Sequence, residues 1–116
     1  MGLTLSITKA LLCAGQLCWP ALVGSTTPLG STFTLTQRLT ADPGYGGDVL
    51  QFHETPDMVY AIHRVWTLRP SERREERLRS SDPKQRVITK GCVNVAPDVY
   101  QHLVTHFQGA TLEVIR

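Results

Sequence analysis

The amino-acid sequence predicts a mainly β (α+β) fold with one C-terminal helix and a long basic loop. Short segments in which apolar and polar residues alternate, as in half-buried strands, recur along the chain. Residues 97–109 instead place apolar side chains at the three- and four-residue steps of an amphipathic helix. Residues 64–86, called the basic segment below, are polar and arginine-rich, so we expect a covering loop with one or two helical turns.

Length and composition limit the chain to one domain. A chain of 116 residues, 41% of them hydrophobic, can bury one core but not two, so a single domain over residues 1–116 is expected. The net charge of +2 is too small to argue for a nucleic-acid partner. No apolar run approaches the roughly 20 residues that span a bilayer, so we expect no membrane span. We also expect a monomer without a cofactor.

The predicted strands follow one another through most of the chain. Leu3, Leu5 and Ile7 alternate with polar residues, which favours a strand over an export signal at the N-terminus. Further strands are predicted over residues 17–23, 32–36, 49–52, 58–63, 86–89, 93–95 and 111–115. Residues 24–30 and 41–48 are loops by composition. The second loop carries three glycines, which suit either a close approach to a ligand or ordinary turn chemistry.

Two helices are predicted after residue 64. Pro97 and Asp98 mark the start of the C-terminal helix, and Gly109 marks its end. The apolar face of this helix consists of Val99, Tyr100, Leu103, Val104 and Phe107. A short helix from Ser71 to Leu78 is predicted inside the basic segment, which is either a solvated flap or a surface that faces a substrate.

Three cysteines make an odd count, so at least one thiol is left over after any intrachain pairing. Cys13 and Cys18 are close in sequence, with a turn-forming Gly15 between them. A bridge between them would suit an oxidising compartment, and two buried small side chains are the equal alternative. Either reading leaves Cys92 without a disulfide partner.

Cys92 is the candidate nucleophile. It follows Gly91, which permits an unusual backbone angle and a close substrate approach, and Lys90 places positive charge next to it. Backbone N–H groups around Gly91 and Cys92 could stabilise an oxyanion. The spacing alone leaves a buried structural cysteine as the alternative.

Four histidines could supply a base for this thiol. His63 ends an apolar strand, where it is either the base or a satisfied core histidine. His102 and His106 lie one helical turn apart but lack a third metal ligand, so no metal site is expected. His53 follows Phe52 in an ordinary turn approach.

The order of these residues resembles the L,D-transpeptidase catalytic domain, also called the YkuD domain. The resemblance is carried by Thr26-Thr27-Pro28-Leu29-Gly30 with a following Phe33, by His63, and by Thr89-Lys90-Gly91-Cys92-Val93-Asn94. It extends over nearly the whole chain, from about Leu3 to Ile115. It implies an L,D-transpeptidase-like β-sandwich with a cradling helix.

The resemblance also implies roles for particular residues. Cys92 would form a thioester with the donor stem peptide, and His63 would accept the thiol proton. Gly91 and Cys92 would supply oxyanion-hole N–H groups, and Thr89 and Asn94 would bind substrate as the polar residues that shape the site. The implied partner is a peptidoglycan stem tetrapeptide, and the implied location is periplasmic or secreted, with an export signal that is missing or non-standard.

Two departures from the family pattern concern charge. Lys90 stands where the family usually has histidine, so Lys90 is expected to support the thiolate or bind a substrate carboxylate. The stretch between His63 and Cys92 is longer than usual and contains the basic segment. Arg64 and Arg86 are the arginines best placed to recognise the carboxylates of a stem peptide.

The implied reaction is acyl transfer from a stem peptide through a Cys92 thioester. An amine acceptor would give a cross-link, a free D-amino acid would give exchange, and water would give L,D-carboxypeptidase action. The alternative from another class is a non-catalytic peptidoglycan-binding β-domain. Nothing in the sequence selects the acceptor.

Overall fold

A computed structural model describes residues 2–116 as two β-sheets and two α-helices. In chain order the elements are β1 (Gly2–Ser6), β2 (Leu11–Ala14), β3 (Leu17–Pro20), β4 (Gly30–Thr34), β5 (Thr36–Leu39), β6 (Asp48–Glu54), β7 (Val59–Arg64), α1 (Arg74–Arg79), β8 (Val93–Val95), α2 (Pro97–Phe107) and β9 (Thr111–Ile115). Short 3-10 turns occupy Pro70–Glu72 and Pro83–Arg86. Among residues 2–116, no helix is long and apolar enough to cross a membrane.

The two sheets share one core. The first sheet has the strand order β3-β2-β1-β9-β4, and the second has the order β5-β6-β7-β8. Strand β1 pairs in parallel with β9, and β7 pairs in parallel with β8. Because side chains alternate along a strand, Leu3 and Leu5 of the first sheet and Leu50 and Ile62 of the second point into a common cluster, which α2 also joins.

The predicted strand over residues 32–36 is divided between the sheets. Strands β4 and β5 are separated only by Leu35, which is fully buried. The backbone of Leu35 donates to Ala110 and accepts from Gly109, so the chain is fixed where it passes from one sheet to the other. The alternating Thr and apolar residues predicted an extended segment correctly but could not reveal this crossing.

The β2–β3 hairpin contains a disulfide. Cys13 and Cys18 lie opposite each other in the antiparallel register and are covalently joined. This decides between the two interpretations of the pair in favour of the bridge. Cys92 is left as the free cysteine.

The predicted strand over residues 86–89 is wrong. Pro83 begins a 3-10 turn there, and the Asp82 side chain accepts from the backbone N–H of Lys84 at its start. After the turn, the N–H groups of Ile88 and Thr89 both donate to the carbonyl of Val23. This shared acceptor fixes the segment without a strand ladder.

The helical predictions are largely confirmed. Helix α2 begins at Pro97 and buries Tyr100, Leu103 and Phe107, and Gly109 adopts a positive φ of 82° just after its end. The predicted helix over 71–78 is broken at Arg73, whose φ of 51° separates the first 3-10 turn from α1. The basic segment is therefore a covering loop with short helical turns, as expected.

Candidate functional site

The pairing of β7 with β8 brings His63 and Cys92 to one face of the second sheet. Ile62 lies opposite Val93 and His63 opposite Asn94 in the parallel register. Side chains alternate along each strand, so Ile62 and Val93 point into the core, where both are fully buried. Cys92 directly precedes Val93 and therefore projects to the same face as His63. The strand pairing thus unites two residues that are distant in sequence.

The Cys92 thiol lies against the edge of β7. Its Sγ donates to the backbone carbonyl of Val59 at 3.6 Å, and the side chain is half-buried. Burial raises the thiol pKa, while a backbone hydrogen bond from Ala61 and the positive charge of Arg74 oppose that rise. The resting side chain is therefore a neutral thiol at neutral pH.

His63 is buried and neutral. Its side chain is 3% exposed, and its Nδ1 lies 2.7 Å from the carbonyl oxygen of Arg64. A carbonyl can only accept, so Nδ1 carries the proton and Nε2 presents a lone pair. Burial lowers the ring pKa to about 4, with the Arg64 carbonyl opposing that shift and the charge of Arg74 adding to it. This is the protonation state that a general base requires.

Two clefts open beside this pair, and Tyr45, His63 and Cys92 line both of them. The first, called the basic cleft, has a volume of about 330 Å³ and is also lined by Met58, Trp66, Arg69, Glu72, Arg74 and Lys90. The second, called the strand cleft, has a volume of about 240 Å³ and is also lined by Leu39, Thr40, Asp42, Val49, Gln51 and Val59. Small molecules can therefore reach the Cys92 thiol from two directions.

The turn before Cys92 depends on Thr89 and Gly91. The Thr89 hydroxyl donates to the carbonyl of Cys92 at 2.6 Å and accepts from the N–H of Gly91 at 3.1 Å. Gly91 has a φ of 131°, and a Cβ there would meet the Tyr60 ring, so glycine is required. Because its N–H is already bonded, Gly91 is not free to donate to an oxyanion. Gly91 and Thr89 shape the turn that presents Cys92. Thr89 also lines the cleft that contains Lys90 and Cys92, and its binding of substrate stays a prediction.

Asn94 does not face a substrate. Its side chain is fully buried, and its Oδ1 accepts from the backbone N–H of Trp66 and from Nη1 of Arg74, both at 3.0 Å. The prediction that Asn94 binds substrate is therefore corrected. Asn94 fastens the basic segment to β8 directly behind Cys92.

Arg64 and Arg86 are also committed to internal contacts. Arg64 donates to Asp48 Oδ1 at 2.9 Å and to the Tyr45 carbonyl at 3.0 Å, and its guanidinium lies 4.4 Å from the Tyr100 ring centre. Arg86 is 4% exposed and donates to three backbone carbonyls, those of Lys9, Ala10 and Ser80. Arg86 is thus not available to a substrate carboxylate, which corrects its predicted role. Arg64 lines neither cleft, and its binding of a substrate carboxylate stays a prediction.

Several residues of the site were not predicted. Tyr45 packs its ring edge-on against His63, with centroids 4.6 Å apart, and burial raises its pKa, so its hydroxyl stays protonated. Arg69 and Arg74 line the basic cleft with Lys90, whose side chain is exposed and whose predicted role toward the thiolate or a substrate carboxylate stays a prediction. The glycine-rich loop at residues 41–48 was the sequence feature that could have indicated a role for Tyr45. No local sequence feature distinguished Arg69 and Arg74 from the neighbouring arginines.

The other histidines lie away from both clefts. The His53 ring packs 5.2 Å from that of Phe33, and the His102 and His106 rings lie 4.6 Å apart on α2. Within residues 2–116, no three His, Cys, Asp or Glu side chains are grouped to bind a metal ion.

No protein-family model matches this sequence, and no curated protein matches it. Solved structures do match. L,D-transpeptidase 1 of Mycobacterium tuberculosis aligns with 99% of this chain at a TM-score of 0.60 and 16% identity. An L,D-transpeptidase of Stackebrandtia nassauensis aligns with 99% at 0.61 and 12% identity, and one of Xylanimonas cellulosilytica with 97% at 0.58 and 16% identity. Another similar structure, at 0.60 and 17% identity over 97% of this chain, is an L,D-transpeptidase in complex with imipenem.

The chain spans 55% to 61% of the length of the chains in these four structures. At such identities the likeness shows the fold. The protein therefore has the fold of the L,D-transpeptidase catalytic domain, which confirms the predicted fold class and the resemblance found in the sequence.

Proposed function

We propose that this protein is an L,D-transpeptidase-like cysteine acyltransferase that acts on peptidoglycan stem peptides. The observation that carries the proposal is the presence of Cys92 and His63 on the shared wall of two clefts, within this fold. Acyl transfer needs a donor and an acceptor at one nucleophile, and two clefts give each a route. We further propose that Cys92 is the nucleophile and His63 the general base.

The first half of the proposed reaction begins from neutral groups. As Cys92 Sγ attacks the carbonyl carbon of the third stem residue, His63 Nε2 takes the thiol proton. The carbonyl oxygen becomes an oxyanion, and the Cys92 N–H is the proposed donor because the Gly91 N–H is bonded to Thr89. The C–N bond then breaks, His63 gives the proton to the leaving nitrogen, and D-alanine departs from a Cys92 thioester.

The second half consumes the thioester. His63 deprotonates the incoming nucleophile, whose attack on the thioester carbonyl releases the Cys92 thiol. An amine of a neighbouring stem gives a cross-link, a free D-amino acid gives exchange, and water gives the L,D-carboxypeptidase product. The identity of the product therefore names the activity.

We also propose that the protein works outside the cytoplasm, in the periplasm or as a secreted protein. The Cys13–Cys18 disulfide supports this, because such bonds persist in oxidising compartments and are rare in the cytosol of mesophiles. The substrate class points to the same compartment.

Mass spectrometry with imipenem tests the nucleophile. The probe is chosen because an L,D-transpeptidase of this fold was solved with it. We expect a covalent adduct on the wild-type protein at Cys92 and none on Cys92→Ala, with His102→Gln as a control outside both clefts.

Incubation with purified tetrapeptide muropeptides then tests the reaction. We expect release of D-alanine together with a cross-linked, exchanged or tripeptide product. Absence of both the adduct and any turnover would refute the enzyme. Muropeptide binding without turnover would instead support the non-catalytic peptidoglycan-binding alternative.

A further inference from the structure

Arg74 is the most firmly fixed cation of the basic cleft. Its Nε donates to Glu72 Oε1 at 2.8 Å, its Nη1 donates to Asn94 Oδ1 at 3.0 Å, and its guanidinium lies 5.1 Å from the Trp66 ring centre. The side chain is 14% exposed. Among residues 2–116, its Nη2 has no acceptor. Arg74 thus presents a pre-oriented donor group without further loss of side-chain freedom.

The basic cleft carries an excess of positive charge. Arg69, Arg74 and Lys90 line it, and Glu72 is the acid among its lining residues. Glu72 pairs with Arg74, whereas within residues 2–116 neither Arg69 nor Lys90 forms an ion pair. A cleft with two unbalanced cations favours an anionic ligand.

Arg74 is also close to the reacting groups. It lines the basic cleft together with Cys92 and His63. Burial raises the pKa of Cys92 and Tyr45 and lowers that of His63, and the positive charge of Arg74 acts on all three in the downward direction, as expected of a cation that lines the same cleft. A ligand anion at Arg74 would therefore lie beside the thiol.

The strand cleft has a different character. Arg38 and Asp42 supply opposite charges there, and Leu39, Val49 and Val59 supply an apolar surface. Because these two charges balance, the strand cleft favours a carboxylate less than the basic cleft does.

The proposed donor has a carboxylate at the matching position. In a stem tetrapeptide, the terminal carboxylate is separated from the scissile carbonyl by one amide nitrogen and one Cα. A donor whose carbonyl reaches Cys92 must therefore place this carboxylate close to the thiol, within one of the two clefts.

We propose that Arg74, assisted by Arg69 and Lys90, binds the terminal carboxylate of the donor stem peptide. The leaving D-alanine then occupies the basic cleft, and the acceptor reaches the thioester through the strand cleft. This inference rests on the proposed function and names the determinant of its donor specificity. It predicts rejection of stems whose terminal carboxylate is blocked or displaced by a further residue.

The test measures binding without turnover, in a Cys92→Ala background. The probes are a synthetic stem tetrapeptide ending in D-alanine and the same peptide with a C-terminal carboxamide, and the readout is Kd by calorimetry. We expect the acid to bind about 10- to 100-fold more tightly, the effect of one or two charge-assisted hydrogen bonds. Adding Arg74→Gln should reduce this ratio to near one.

Arg79→Gln is the matched control, because Arg79 lies on the same helix, is exposed and lines neither cleft. It should leave the acid-to-amide ratio unchanged. Because Arg74 also fastens α1 to Asn94, the exposed pair Arg69→Gln and Lys90→Gln provides a second variant that leaves this contact intact. That double variant should lower the ratio by several-fold.

The outcomes separate the two proposals. Equal binding of acid and amide, or an Arg74→Gln protein that folds and keeps the ratio, would overturn the carboxylate site. Release of D-alanine from the acid and of D-alaninamide from the amide at equal kcat/KM would overturn it while leaving the acyltransferase intact. If the acid binds preferentially but the wild-type protein, which retains Cys92, turns over neither peptide, the carboxylate site is supported and the proposed acyltransferase activity is refuted.

Discussion

The basic cleft and the strand cleft approach the same thiol through chemically unlike walls. Tyr45, His63 and Cys92 are common to both, but Arg69, Arg74 and Lys90 line one, whereas the other is lined mainly by strands β5, β6 and β7. In the proposed reaction, Cys92 and His63 would do the same chemistry for every substrate, and the residues that line each cleft would select which molecule reaches them. A group-transfer enzyme benefits from such a division because the leaving group and the acceptor need not compete for one site.

The two walls also differ in how they are built. The strand cleft includes Leu39, which is 88% exposed at the end of an edge strand. The basic cleft includes a covering loop that Arg74 ties to Asn94 from outside the sheet. The wall of the strand cleft is therefore part of the sheet, whereas the wall of the basic cleft is formed by a loop that packs on the sheet.

The largest expected effect concerns His63, the proposed general base, which lines both clefts. His63→Gln should reduce kcat/KM and the rate of imipenem acylation about 10²- to 10⁴-fold, because the thiol loses its proton acceptor. The His53→Gln variant is the control, since His53 lines neither cleft. Rates measured by stopped-flow absorbance that stay within a few-fold of wild type would show that another group takes the proton.

The same shared residue should make the protein acid-sensitive. The unfolded chain protonates His63 below about pH 6.5, but the buried ring resists protonation until its pKa of about 4. The contribution of the neutral His63 ring to the free energy of unfolding should therefore be fully present above pH 6.5. The free energy of unfolding should then fall by about 3 kcal/mol as the pH drops toward 4.

Urea denaturation across pH 4 to 7 measures this loss, and His63→Gln should flatten the curve. An unfolding free energy with the same pH dependence in both proteins would assign the acid sensitivity elsewhere. Because His63 lines both clefts, unfolding at low pH should disrupt both clefts together.

A smaller effect is expected at the loop that carries Tyr45. Asp48 accepts from Arg64, Tyr100 and Gln37, and although burial alone would raise its pKa, these hydrogen bonds lower the pKa overall. Asp48→Asn should cost about 1–3 kcal/mol of unfolding free energy by weakening this network. Thermal unfolding compared with the exposed Asp57→Asn control measures it, and equal melting temperatures would contradict the assigned role.

The smallest effect should be confined to one cleft. Leu39→Ser removes apolar surface from the strand cleft and should lower acceptor use relative to hydrolysis about 3- to 10-fold. Imipenem acylation should not change, because the donor side is untouched. Product ratios by liquid chromatography, with Leu29→Ser as the exposed control, would show whether the two clefts are separable; equal losses in both half-reactions would mean they are not.

Sequence patterns predicted the parts of this fold that local periodicity determines. The apolar alternation around Leu3 and the helical spacing around Leu103 each report one buried face, and both elements form as predicted. The resemblance nominated His63 and Cys92, and the β7–β8 register brings them to one face. Their catalytic roles remain proposals.

The arginines of the basic segment show what sequence patterns could not predict. Arg64 and Arg86 were nominated for substrate, yet Arg86 is buried against the carbonyls of Lys9 and Ala10, far away in the chain. Arg69 and Arg74 have the same chemistry and line the cleft instead. Their fates depend on long-range partners, which composition and spacing do not encode.

The pairing of the first and last strands has a consequence for how the protein folds. Leu3 lies beside Leu112 in the parallel β1–β9 register, at the centre of the five-stranded sheet. Contacts between such distant residues form slowly, because a large loop must close before they contribute. We therefore expect the local β2–β3 hairpin to form early and the centre of that sheet to form last, only after β9 has been brought beside β1.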